Sequence, residues 1–436
     1  MTTLPESLLR RITEQLGNST PAFLDAMRAA PFRGIRFNAM RSTTGLLQEE
    51  LLEKVPWEKD GWILKTESDA GKLPEHEAGA YYLQEPSAML PGAVMDAAPG
   101  EQILDLCAAP GGKSTQMGIH MQGRGLLICN EPIPKRALIL SRNIERMGIP
   151  NSIVTCAYPE QLAQRWPGFF DGVLADVPCS GEGMFRRNPE AMAQWSPERA
   201  SGCVERQQTI LEAAAKLVRP GGRLVYSTCT WNPQENEGQI ESFLKKHNEF
   251  HLEPFSLPGV DAPEGMVVCW PHLVHGEGQF VARLRRGGDA AEQFPAAREY
   301  HMTGEEKKAW SAVSPFLPSP TGRLGSCFYY LPWMPDLSSL RVLRLGLHLG
   351  TLQGKTIIPD HAAALCFTPP DAPAEDLDRQ QAAKYLSGES LPGKNTGWVL
   401  MRFSNLILGW GKGSEGRIRN HYPKGLRKIT QQELEE

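Results

Sequence analysis

The nine cysteines of this 436-residue chain show no regular spacing, no CxxC pair and no Cys/His cluster with zinc-ligand spacing. That argues against a disulfide framework, a structural zinc site and a thiol–disulfide oxidoreductase, and for free thiols in a reducing compartment. No apolar run approaches the roughly 20 residues needed to cross a bilayer. The opening MTTLPESLLRRITEQLG carries charges where a signal peptide would have an apolar stretch, so a cytoplasmic protein is expected. Excess positive charge is missing too. The net charge is −4, so any nucleic-acid role must rest on local patches. The phosphate-binding GxxxxGK[ST] loop and the dinucleotide fingerprint GxGxxG are both absent, as is any repeat of fixed period.

What is present reads as a soluble globular protein of several domains, with 41% hydrophobic and 22% charged residues. Ser7 to Leu16 has helical period. NSTPAFLDAMRAA offers Ser19 or Thr20 as a cap, a proline in the first turn and an apolar stripe, which predicts a second helix. FRGIRFNAMRS alternates apolar and basic residues, which predicts a half-exposed strand with Arg33, Arg36 and Arg41 on a solvated face. From about Tyr81 to Arg286, strands alternate with helices and Gly-rich or polar turns, the pattern of a mainly parallel, doubly wound sheet. The alternation then stops. Positions 287–295 read as a linker, and PPDAPAEDLDRQQ marks another boundary before a last segment of short strands around glycine turns.

In a doubly wound sheet, ligands bind beyond the carboxyl ends of the strands. LDLCAAPGGKSTQMG places small residues there, between a strand and a helix, where backbone can approach a ligand closely. The next strand ends in CNEP, with Glu131 twenty positions after Gly111, a spacing that suits a ribose diol. Each feature alone is compatible with a tight turn or a helix-start acid. Together they favour an adenosine-bearing cofactor, and the missing diphosphate fingerprint favours S-adenosylmethionine over NAD.

LDLCAAPGGKSTQ, ADVPCSGEG and VYSTCTWNPQENE, in this order, resemble the S-adenosylmethionine-dependent RNA cytosine-C5 methyltransferases, and within them the F type of bacterial ribosomal RNA small-subunit methyltransferases. The resemblance implies an α/β fold. Its core is a Rossmann-like class I methyltransferase domain at 81–286. A small N-terminal α+β RNA-binding domain occupies 1–80, a first accessory domain 296–370 and a PUA-like RNA-binding module 371–436. It implies cofactor contacts from Cys107, Ala108, Ala109, Pro110, Gly111, Gly112, Lys113, Glu131 and Asp176. Many members carry an Asp after the third strand of the core. The matching stretch here, VTCAYPEQ, has none, and Tyr158 stands near that place, where stacking or a backbone contact would substitute.

Cytosine C5 is too weak a nucleophile to take a methyl group directly. A thiolate adding to C6 activates C5, and a second group assists proton loss and release. Cys179 follows the fourth core strand and Cys229 ends the fifth, fifty positions on, so both should face one crevice if those strands are neighbours. Spacing cannot assign the roles. The resemblance implies that Cys229 is the nucleophile and Cys179 the releasing partner, with Asp176 on the N3 or N4 edge of the base. Lys113 is expected on the cofactor carboxylate or beside a thiol.

An RNA cytidine would have to be unpaired or flipped to reach such a site. Phe185, Arg186 and Arg187, just after Cys179, are candidates for stacking and phosphate contact. Between positions 412 and 428, six basic residues (Lys412, Arg417, Arg419, Lys424, Arg427 and Lys428) stand against Glu415 alone, with Trp410, His421 and Tyr422 nearby. In an acidic protein this local reversal favours an RNA surface. The expected partner is 16S rRNA or the small ribosomal subunit, with no membrane and no metal. The alternatives are the same chemistry on tRNA and a non-catalytic rRNA-binding assembly factor.

Overall fold

Two helices, Glu6–Leu16 and Thr20–Arg28, open the chain. The first buries Leu8 and Ile12, four residues apart on one face. Neither expected cap residue accepts a bond at the start of the second helix. Instead, a 3₁₀ turn at Gly17–Ser19 runs directly into it, and the Thr20 hydroxyl donates to the Gly17 carbonyl. The computed structural model describes residues 4–289, 300–367, 369 and 372–427. The end of the expected linker, the boundary at 370/371 and Lys428 therefore lie outside the described residues.

A four-stranded sheet follows, in the order β2 (Leu51–Lys54), β3 (Gly61–Leu64), β1 (Arg33–Phe37), β4 (Tyr81–Leu83). It takes in Tyr81–Leu83, just past the division expected at 80/81. Arg36 is not on a solvated face. It is 1% exposed, and its guanidinium reaches out of the sheet to the Gly112 carbonyl at 3.0 Å and the Thr115 hydroxyl at 2.8 Å. Burial lowers its pKa to about 10, and it remains a cation at neutral pH.

The large sheet has a parallel centre in the order β9 (Val218–Thr228), β8 (Phe170–Asp176), β5 (Gln102–Asp105), β6 (Leu126–Asn130), β7 (Ser152–Thr155). Helices Gly112–His120, Pro134–Arg146, Pro159–Arg165 and Pro197–Leu217 connect these strands. Such crossovers cover both faces, which is why β5, β6 and β7 are buried at every position. Beyond β9 the sheet continues through β14 (Gln279–Arg286), antiparallel, which pairs with β10 (Phe250–Leu252) and with β13 (Met266–Cys269). A small hairpin, β11 (Phe255–Leu257) with β12 (Val260–Ala262), stands apart.

In the next segment, β15 (Gly322–Leu324), β16 (Cys327–Tyr330), β18 (Leu347–Gln353) and β19 (Thr356–Pro359) form a sheet of their own. The strand between them, β17 (Val342–Leu345), instead pairs antiparallel with β7 and extends the large sheet. This segment is thus built into the edge of the core, an arrangement that alternation of apolar residues did not foretell. The Arg344–Glu145 ion pair, at 2.7 Å, fastens it.

The last sheet runs β20 (Ala374–Asp376), β22 (Gly397–Phe403), β23 (Leu406–Ser414), β24 (Arg417–Asn420), β21 (Leu391–Pro392). Ser404 and Asn405, both at positive φ, make the tight β22–β23 turn. Its apolar face is continuous with the first sheet. Ile35, Phe37 and Tyr81 share one cluster with Leu386, Met401, Leu408 and Tyr422.

Candidate active site

The carboxyl ends of β5, β6, β8 and β9 meet at one edge of the large sheet. After β5 the chain turns through Leu106 to Gly111, with a cis Ala109–Pro110 peptide, and enters helix Gly112–His120. Gly111 sits at φ +113°, and a Cβ there would stand 3.1 Å from the Leu140 side chain. A side chain is therefore disfavoured both by backbone conformation and by space. The loop's outward carbonyls are taken up by neighbouring elements. Arg136 donates to Ala109, Asn143 to Pro110, and Arg36 to Gly112. The buried Asn130 amide donates to the Leu106 and Ala157 carbonyls, tying the β5 and β7 loops together. Sequence reading missed Arg36 and Asn130. Asn130 stood beside Glu131, but an amide inside a strand end carries no local signal.

Glu131 is buried at the β6 tip. Its carboxylate accepts the Ile133 N–H and lies 3.1 Å from the Arg136 guanidinium. Tyr158, at the tip of β7, is 66% exposed, and Ile133, after β6, is exposed as well. Neighbouring strands thus present two uncovered apolar side chains and a carboxylate around a glycine-lined turn. That combination fits an adenosine group: flat base, ribose diol and a close backbone approach. Cys107 lies within this loop, where burial and then Asp105 push its thiol far above the ordinary range, so it stays a neutral thiol.

Behind the loop, Asp105 is fully buried, accepts the Ser114 hydroxyl at 2.6 Å and leaves Oδ1 without a partner. Burial raises its pKa from 3.8 to about 7. The folded protein therefore holds this proton more tightly than the unfolded chain, and folding stability falls as pH climbs between those values. Asp105→Asn removes that dependence. Its ligand-free melting temperature should exceed the parent's by a few degrees at pH 8 and by clearly less at pH 5, where only part of the loss has set in, by differential scanning calorimetry. Equal differences at both pH values would show that Asp105 does not titrate in this window.

The two cysteines converge. β8 and β9 are parallel neighbours in a register that sets Asp176 opposite Ser227, and the Cys179 and Cys229 sulfurs lie 3.2 Å apart. Asp176 is fixed from three sides, by Lys113 at 2.8 Å, the Ser227 hydroxyl at 2.6 Å and the Gln279 amide at 3.4 Å. Burial alone would lower the Lys113 pKa, but the ion pair with Asp176 outweighs it and the ammonium is held above its usual value. The hydrogen bond to Cys229, and then burial, push the Cys179 thiol well above the ordinary thiol range. One thiol of the pair is thus built to keep its proton.

The residues after Cys179 differ from expectation. Phe185 is 2% exposed and packs with Leu8, Ile12, Phe23, Met192 and Trp231. Arg186 is buried too, paired with Glu277 at 2.7 Å and bonded to the Ala26 and Gly276 carbonyls. Neither is free for RNA; of the three only Arg187 is exposed, with a bond to the Phe32 carbonyl. The stretch turns inward because the N-terminal helices lie on it. Glu182, wholly buried, takes Arg11 at 2.5 Å, the Trp195 indole and the Trp231 N–H.

The C-terminal aromatics are interior as well. Trp410 and Tyr422 are 1% and 2% exposed, and the Tyr385 hydroxyl bonds the Trp410 carbonyl. The basic residues do gather. Lys412 pairs with Arg419 across β23 and β24, Arg417 is two residues along, and all three are exposed. Among the described residues no helix is long and apolar enough to cross a membrane, and no cluster of His, Cys, Asp or Glu is placed to hold a metal ion.

A doubly wound sheet with a glycine-lined turn after its first strand, an acid at the tip of the second and two adjoining cysteines at the ends of two others defines a Rossmann-like methyltransferase. Comparison with known proteins narrows this. Residues 93–285 match the model of 16S rRNA methyltransferase RsmB/F, residues 4–86 the N-terminal domain of 16S rRNA methyltransferase RsmF, residues 317–367 its first C-terminal domain and residues 373–428 its PUA domain. Ribosomal RNA small subunit methyltransferase F of Shewanella woodyi is 31% identical over 86% of this chain and 85% of its own. The protein of the same name from Salmonella agona is 30% identical over 97% of this chain and 96% of its own. A crystal structure of a methyltransferase homolog from Pyrococcus horikoshii, 25% identical, covers 65% of this chain and 100% of that one with a TM-score of 0.55. The chain belongs to the RsmB/F family of S-adenosylmethionine-dependent rRNA methyltransferases, in its F branch.

Proposed function

We propose that this protein methylates C5 of an unpaired cytidine in 16S rRNA through a covalent thiolate adduct at C6, with Cys229 as nucleophile and Cys179 assisting release. The observation that carries the reading is the Cys179–Cys229 pair, 3.2 Å apart at the ends of neighbouring strands, beside the Lys113–Asp176 ion pair. S-adenosylmethionine supplies the electrophilic methyl group. Cys107 through Lys113, Glu131 and Asp176 would hold it, with Glu131 on the ribose diol and Tyr158 beside the adenine.

The chain's own groups do the rest. Cys229 attacks C6, which places electron density on C5. Asp176, held by Lys113 and Ser227, is at the same edge to accept a hydrogen bond from the N3 or N4 side of the base and so to stabilise the ring protonated at N3. After methyl transfer the C5 proton passes to solvent water as base, its bonding pair restores the C5–C6 double bond, and the C6–sulfur bond breaks with its electron pair returning to Cys229. Cys179, protonated beside Cys229, assists this release by donating its proton to the departing Cys229 sulfur, and regains one from solvent. The test is transfer of tritiated methyl from S-adenosylmethionine to undermodified 16S rRNA, with bisulfite mapping of total RNA from a deletion strain. A missing cytidine mark in 16S rRNA supports the reading. A mark lost from tRNA would replace the substrate, and rRNA binding without transfer would make the protein an assembly factor.

The basic face of β23 and β24 is the proposed grip on RNA, through phosphates rather than through the buried aromatics. Deleting the C-terminal module is a poor probe, because it would uncover the apolar cluster shared with the first sheet. Charge reversal is cleaner. Combining Lys412→Glu, Arg417→Glu and Arg419→Glu should weaken RNA binding and flatten its dependence on log salt by roughly 0.7 per lost phosphate contact, about two in all. Filter binding from 50 to 200 mM salt measures this, and an unchanged slope removes this face from the reading.

A further inference from the structure

The two cysteine loops are held from behind by two consecutive residues, Glu235 and Asn236. Asn236 brackets Cys229: its carbonyl oxygen accepts the Thr228 hydroxyl at 2.6 Å, and its amide donates to the Thr230 carbonyl at 2.9 Å. Glu235 brackets Cys179 in the same manner. One carboxylate oxygen accepts the Ser180 N–H at 2.9 Å and the Gln207 amide at 2.9 Å, and Gln207 also donates to the Pro178 carbonyl at 3.0 Å. The other oxygen accepts the Asn232 amide at 3.0 Å. The Glu235 backbone carbonyl accepts the Tyr226 hydroxyl at 2.6 Å, and Ser180 and Thr230 share a hydroxyl bond of 2.8 Å between the loops.

Glu235 is 0% exposed, and among the described residues every one of these partners is neutral. A buried carboxylate without a counter-ion is costly, and three hydrogen bonds only partly offset the loss of water. A glutamine would bracket the loop at lower cost, so the charge itself calls for a use. We propose that Glu235 is a positioning residue that gives the two thiols their separate roles, by fixing the Cys179 loop against the Cys229 loop and setting a negative charge behind Cys179. The inference rests on the two-thiol reading above.

The surroundings are asymmetric in the required sense. Cys179 faces Cys229, Glu235 and the neutral Tyr226, with Asp176 at the tip of the same strand. From helix Pro197–Leu217, Cys203 faces the same carboxylate, with Arg206 beside it. The Lys113 ammonium, paired with Asp176 at 2.8 Å, is near enough to Cys229 to interact with it electrostatically. Among the described residues the Glu235 charge behind Cys179 has no cationic partner, while the Lys113 ammonium near Cys229 is shared with Asp176; this imbalance keeps the proton on Cys179 and leaves Cys229 free to act as the nucleophile.

The experiment is initial-rate alkylation of the full-length protein with iodoacetamide between pH 6 and 9, each cysteine read by peptide mass spectrometry. In the unaltered protein Cys229 should be labelled well before Cys179. In Glu235→Gln the labelling profile of Cys179 should move down by about one pH unit, about a tenfold gain in rate at pH 8, with kcat for methyl transfer reduced and KM for RNA unchanged. Glu235→Asp keeps the charge and loses reach, so it should keep the parent profile while turnover falls. A folded Glu235→Gln protein with an unchanged Cys179 profile, or with both cysteines shifted alike, overturns the proposal. Should that variant fail to fold, faster labelling of Cys179 than Cys229 in the unaltered protein overturns it. Methyl transfer surviving in Cys229→Ala would instead sink the two-thiol reading, whatever the labelling shows.

Discussion

Cys229→Ala should lose methyl transfer to background, a fall on the order of 10⁴-fold or more for removal of a covalent nucleophile. Cofactor affinity should hold, because the bonds that fix the turn come from Arg36, Asn130, Arg136 and Asn143 rather than from the Cys229 loop. Folding should hold as well. The loop around Cys229 is fastened through Thr228, Thr230 and Trp231, and alanine leaves all three in place. The measurement pairs tritiated-methyl transfer with equilibrium binding of S-adenosylmethionine. Substantial residual transfer with normal binding would remove Cys229 from the nucleophile's role.

The second large effect concerns Cys179 and has a different signature. Cys179→Ala leaves attack and methylation possible but removes the protonated neighbour 3.2 Å from the Cys229 sulfur. Release should then become slow, and protein should accumulate covalently joined to RNA, visible as a band of retarded mobility under denaturing conditions that requires intact Cys229. Turnover should stop after about one equivalent of methyl transferred. If Cys229→Ala traps the adduct and Cys179→Ala does not, the two roles are exchanged. The geometry alone is symmetric enough to permit that, and in the proposal above it is the charge of Glu235 that breaks the symmetry.

The order of elements in the core was legible because its signals are local. Apolar runs end in Gly or Pro punctuation, and strand tips follow from them, so Gly111, Glu131, Cys179 and Cys229 were placed at one edge before any contact was known. The inference from neighbouring strands to neighbouring thiols also held, since β8 and β9 are parallel neighbours in register and both cysteines follow their carboxyl ends. The residues that fasten the edge were not legible. Arg36 looked like a solvated strand residue because its partners, Gly112 and Thr115, are 76 and 79 positions away. Glu182 and Glu235 likewise carried no local signal of the partners they hold.

The sequence by itself determined the fold class and which residues stand at the sheet's carboxyl edge, Cys179 and Cys229 among them, because backbone conformation and hydrophobic period are encoded within a few residues. Only the tertiary structure decided which face of each loop is covered. The N-terminal helices turn Phe185 and Arg186 inward. The C-terminal sheet, packed on the first sheet, buries Trp410 and Tyr422 and leaves Lys412, Arg417 and Arg419 outside. A side chain's type is written locally, but whether it meets water, RNA or core depends on elements up to hundreds of residues away. That packing turned a run of basic and aromatic residues into a basic face over an aromatic core, and brought two cysteines fifty positions apart to within 3.2 Å.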